Sequence, residues 1–86
     1  MLNEWRRVDA IDGYERTYQS GSFRVAYEAM APGLKYLRRD LFVDGTTGPI
    51  PLPPVYVEGL ESLRDEFYEG CLRAAHWHIA AAIEKL

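Results

Sequence analysis

The chain has a single cysteine, Cys71. No intramolecular disulfide can form, and a structural zinc site would have to take its remaining ligands from histidines and carboxylates. A lone free thiol fits a reducing compartment. Long apolar runs are also lacking. The longest such stretch, 77–83, contains His78 and is dominated by alanine, too short to cross a bilayer. The first seven residues, Met1-Leu2-Asn3-Glu4-Trp5-Arg6-Arg7, have neither the apolar core nor the small-residue cleavage site of a signal peptide. The expected location is cytoplasmic, with no membrane association. No repeat or low-complexity segment is found, and no Gly-rich phosphate loop or nucleophile elbow. The expectation is a protein that is not an enzyme, with no catalytic residue, no cofactor and no metal.

What the sequence does contain is the composition of a folded protein. At 86 residues, 48% are hydrophobic, with six Tyr, three Phe and two Trp, far from the profile of disorder. Residues 1–86 are read as a single domain. A chain this short buries a modest fraction of its surface, so its stability is marginal. Charge is uneven along it. Residues 1–39 carry a balance of +2 and residues 40–86 a balance of −5. The acidic half repels phosphate backbones and favours basic partners.

Alternation and turn residues predict an antiparallel hairpin over 14–29. Segments 14–19 and 22–29 are rich in strand formers, and Ser20-Gly21 supplies the turn. Pairing Tyr18 with Phe23, Arg16 with Val25 and Tyr14 with Tyr27 puts the aromatics on one buried face. Thr17, Arg24, Glu15, Ala26 and Glu28 fall on the wet face. A third strand is expected over 35–43, before the Asp44-Gly45 turn. Segment 44–54 has four prolines and is read as an extended loop. From about Tyr56 to Leu86 the pattern predicts one long C-terminal helix. Its stripe is Leu60, Leu63, Phe67, Cys71, Ala74, His78 and Ala81, widened by Tyr68, Leu72, Ile79, Ile83 and Leu86, with Gly70 as a bend site. The fold expected is thus α+β: a small antiparallel sheet packed on one long helix. Such a helix, ~45 Å long, outruns a sheet of ~20 Å. The surplus and its alanines suggest a homodimer through Ala74, Trp77, His78 and Ala81.

Candidate sites follow from residue chemistry. The carboxylates Glu58, Glu61, Asp65, Glu66 and Glu69 crowd the first half of the helix. They form a solvated face, or a negative strip for a basic partner. This strip carries the leading expectation: a non-enzymatic protein-binding module, a regulator or inhibitor of a larger complex. Arg6, Arg7, Arg38 and Arg39 carry an alternative, nucleic-acid binding. It is weakened because the hairpin aromatics face the core instead of an RNA. Cys71, His76 and His78 carry a third reading, a Cys/His enzyme or metal protein. Helical spacing argues against it. His76 and His78 lie on nearly opposite sides, and Cys71 and His78 are two turns apart. The Pro51-Leu52-Pro53-Pro54 run satisfies a minimal PxxP pattern, which a stiff loop explains as well.

Overall fold

The computed structural model describes residues 4–9, 14–30, 36–58 and 64–86. Five strands come first: β1 (Arg6–Arg7), β2 (Arg16–Ser20), β3 (Phe23–Ala29), β4 (Tyr36–Val43) and β5 (Ile50–Tyr56). They pair antiparallel in sequence order, a five-stranded meander with β1 and β5 at its edges. Two helices follow, α1 (Asp65–Ala74) and α2 (His76–Glu84), and cover one face of the sheet. The domain is α+β, but it is not a small sheet on one long helix.

The β2–β3 turn is Gly21-Ser22, with Gly21 at φ 61°, a conformation that glycine adopts without steric cost. Tyr18 pairs with Val25 and Arg16 with Tyr27. The register thus differs by two residues from the expected one. A two-residue shift keeps every side chain on its own face, so the inward set is still aromatic: Tyr18 and Tyr27 are buried with Val25. Strand β4 repeats the alternation, with Leu37, Arg39 and Leu41 buried.

The proline segment is a strand rather than a loop. Proline cannot donate to a ladder and is tolerated on an edge strand or at a bulge. β5 is both. Leu37 pairs with Val55 while Arg39 pairs with Leu52, so β5 carries an extra residue at Pro53-Pro54. Only its inward Leu52 is buried.

The long helix is divided at Ala75, not bent at Gly70, which lies inside α1. Ala75 donates its N–H to the carbonyls of both Cys71 (2.9 Å) and Leu72 (3.1 Å), which tightens the last turn of α1. Asp65 and Glu66 sit in the first turn of α1 and Arg73 in its last, matching the helix dipole. The inward stripe is Tyr68, Leu72, Ala75 and Ile79. The expected centre of the stripe is rotated from it, since Ala74, His78 and Ala81 are exposed. Leu60 and Leu63 lie outside the described residues. The core is built around three tyrosines. Tyr68 of α1 meets Tyr27 edge-on at 5.1 Å and stacks with Tyr18 at 6.3 Å between ring centroids.

Candidate functional site

Of the expected acidic strip, Asp65 is exposed and also contacts the sheet. Asp65 leans onto the sheet, where it accepts a hydrogen bond from the Tyr18 hydroxyl at 3.1 Å. Its Oδ1 also lies 3.6 Å from Arg7 Nη1 and 3.2 Å from Arg16 Nη1. It therefore ties the start of α1 to β1 and β2. Arg16 in turn lies over the Tyr68 ring, 4.4 Å from its centroid, and the Tyr68 hydroxyl donates to the Tyr14 carbonyl at 2.8 Å. Glu58 and Glu66 are exposed and Glu69 is half-buried. Glu61 lies outside the described residues.

Burial raises the pKa of these tyrosines and so weakens them as acids. The Tyr18 hydroxyl is pushed well up, first by burial and then by the Asp65 charge. Tyr27 is pushed up to about 12 by burial, with Arg39 pulling the other way. Tyr68 is raised by burial against the pull of Arg16. All three stay neutral at physiological pH, as core side chains should.

Three of the four arginines of the nucleic-acid reading have internal partners. Arg7 pairs with Asp9 as well as Asp65. Arg38 bridges Glu28 and Asp40 on the open face of the sheet. Arg39 is buried under the helices, and Arg6 is exposed. The open face has a shallow depression of about 240 Å³ around Thr17, Ala26, Glu28, Arg38 and Asp40. Its lining has four carboxylates, Asp9, Glu15, Glu28 and Asp40, against Arg16 and Arg38, and ion pairs with Arg38 engage Glu28 and Asp40.

The helix side of β5 is different. A cavity of about 280 Å³ is lined by Arg39, Pro54, Val55, Cys71, Ala74, Ala75 and His78. A second hollow of about 410 Å³ adjoins it along the same edge, between Ile50–Pro53 and His78, Ala81, Lys85 and Leu86. His78 lines both, so they form one groove between β5 and the helices. Burial pushes the Cys71 thiol up, against the pull of the Arg39 charge. Among the described residues, no group of three or more His, Cys, Asp or Glu is arranged to hold a metal ion.

Of the four residues of the expected self-association surface, Ala74, His78 and Ala81 line the hollows beside β5 and Trp77 does not. Ala74, Trp77, His78 and Ala81 are all exposed, and Trp77 is 81% exposed. Leu86, also exposed, closes one end of the groove. The inward role of Arg39 was readable, because it alternates with Leu37 and Leu41. The brace made by Asp65 had no such signal, since its partners lie on strands some fifty residues earlier, 49 in the case of Arg16.

Comparison with protein-family models, with curated proteins and with solved structures finds no match for this chain. Among the described residues, no helix is long and apolar enough to cross a membrane.

Proposed function

We propose that this protein is a non-enzymatic protein-binding module, a cytoplasmic regulator or inhibitor, that engages its partner through the outer face of α2. The first partner we assign is a second copy of the chain. The observation that carries this reading is Trp77, 81% exposed on a well-formed helix. Leaving a large apolar side chain in water forgoes about 1.5–3 kcal/mol of burial free energy. Tryptophan is also the residue type most enriched at binding hot spots. Ala81, one turn on along α2, is small and lets another backbone come close, and Ala74 at the end of α1 is exposed as well. In a two-fold pair, each Trp77 would lie on the alanines of the other copy.

A standard interface buries roughly 800 Å² per partner, against a total surface of 5681 Å². α2 alone is too short to supply that area. The contact must extend over the groove rim to Leu86 and the outer prolines of β5. Those prolines lack N–H groups, so contact there is by side chains and not by added strands.

Sedimentation velocity tests the reading, run up to about 1 mM, where even a pair worth about −4 kcal/mol is half formed. The expected result is a dimer for the natural chain. Trp77→Arg should be monomeric with an unchanged circular dichroism spectrum. A monomer for the natural chain over the whole range removes self-association. Exposed Glu58 and Glu66 leave a second reading open, attraction of a basic partner. Charge reversal at both should slow that association and weaken its salt dependence.

A further inference from the structure

We infer that the cavity lined by Arg39, Cys71 and His78 is a binding site for a small carboxylate anion. Among the described residues, the Arg39 charge has no acidic partner. Arg39 is 6% exposed, in the middle of β4. Its Nε donates to the Pro53 carbonyl at 2.8 Å and its Nη1 to the Cys71 carbonyl at 3.4 Å. Its guanidinium lies 6.0 Å from the Tyr27 ring centroid. Those partners are all neutral. The ion pairs among the described residues involve Arg7, Arg16 and Arg38, and none involves Arg39. A buried cation without a counter-charge is costly and is ordinarily paired.

A second observation points the same way. Among the described residues the buried Tyr27 hydroxyl makes no well-formed hydrogen bond, and the Arg39 guanidinium is the polar group that acts on it. The guanidinium is the one of the two that lines an open cavity. The guanidinium has further N–H groups beyond the two already engaged, and its planar fork matches the two oxygens of a carboxylate. At about 280 Å³, the space suits a ligand of a few heavy atoms, below the usual range for drug-sized ligands. Cys71, Ala75, Pro54 and Val55 give it apolar walls. His78, at the exposed mouth, adds a ring N–H donor.

Because Cys71 is the only cysteine, its alkylation reads the cavity directly. The probes are iodoacetate, which carries a carboxylate, and neutral iodoacetamide. Each is compared with its rate on an unstructured peptide containing the same cysteine. The expected result is a preference for iodoacetate of about tenfold over the peptide, the factor of one modest charge-assisted pairing. The rate should saturate with iodoacetate. Acetate should compete, and chloride at equal ionic strength should not. Ala74→Asp, which puts a competing carboxylate at the rim, should abolish the preference with the helical signal intact. The preference should persist in Trp77→Arg, since the site is built within one chain; its loss there would overturn that construction. A reagent ratio equal to the peptide's would overturn the site, as would a thiol that neither reagent reaches. Equal competition by phosphate or chloride would overturn the carboxylate assignment.

Discussion

Raising the pH should unfold this protein through its buried tyrosines. Tyr27 is held neutral by burial, with its ionisation pushed up to about 12, against about 10 for an exposed phenol. The folded state therefore keeps a proton that the unfolded chain gives up. Stability from this group is fully present below pH 10 and is lost as pH rises from about 10 towards 12. The slope is about 1.4 kcal/mol per pH unit for each such group, so Tyr27 alone removes about 3 kcal/mol by pH 12. Tyr18 and Tyr68 are raised in the same direction by the same cause and add to the loss. A domain of this length has roughly 4–13 kcal/mol in all, so the transition should fall within the accessible range. Competing alkaline effects are small. Arginines stay charged there, so the Asp65 ion pairs survive, and the chain has only two lysines, Lys35 and Lys85. Cys71, also raised by burial, contributes in the same sense and can be removed with Cys71→Ala. The assay is urea unfolding at stepped pH, alongside tyrosinate absorbance. Three tyrosines should ionise together with the loss of helical signal. Ionisation of all six before any unfolding would refute the reasoning.

The tyrosine hydroxyls should also separate by substitution. Tyr68→Phe leaves the Tyr14 carbonyl without its donor and should cost about 1 kcal/mol, read as a fall of roughly 4–8 °C in Tm. Tyr27→Phe removes a hydroxyl that makes no well-formed hydrogen bond among the described residues; calorimetry should find it neutral or stabilising, with a shallower alkaline slope. Asp65→Ala should cost about 1–2 kcal/mol, because it strips the Tyr18 hydroxyl of its acceptor and loosens Arg7 and Arg16 together. A double-mutant cycle with Arg16→Met should show the two losses to be non-additive.

Much of the sheet was legible because a period of two survives errors of register. The hairpin faces came out right although the turn was placed one residue early, since the partner strand moved by two. The helix was less legible. Tyr68, Leu72, Ala75 and Ile79 form the buried stripe, but alanines on every side of 74–82 blur the boundary between inward and outward. No glycine or proline marks the break at Ala75. The prolines of β5 misled for a physical reason. They forbid a central strand, and only the finished topology places them on an edge, with a bulge to absorb them. The residues proposed for self-association were picked from the surplus of helix over sheet and the run of alanines, and each of them is exposed. The acidic residues were grouped by position along the helix, which could not say that Asp65, though exposed, also braces Tyr18, Arg7 and Arg16.

That bulge also joins the fold to the candidate anion site. A regular β5 would spend its carbonyls on the ladder with β4. The extra residue at Pro53-Pro54 interrupts the ladder, and the Pro53 carbonyl is met instead by Arg39. The bond holds the guanidinium under the helices, beside Cys71 and within the wall of the groove. A neutral carbonyl fixes its position and leaves its charge unanswered. The same prolines stiffen one rim of the groove and deny it a free strand edge. An incoming ligand or partner would therefore have to be recognised by side chains. The cation that would recognise it is already buried in place, so little ordering of that side chain would be needed on binding.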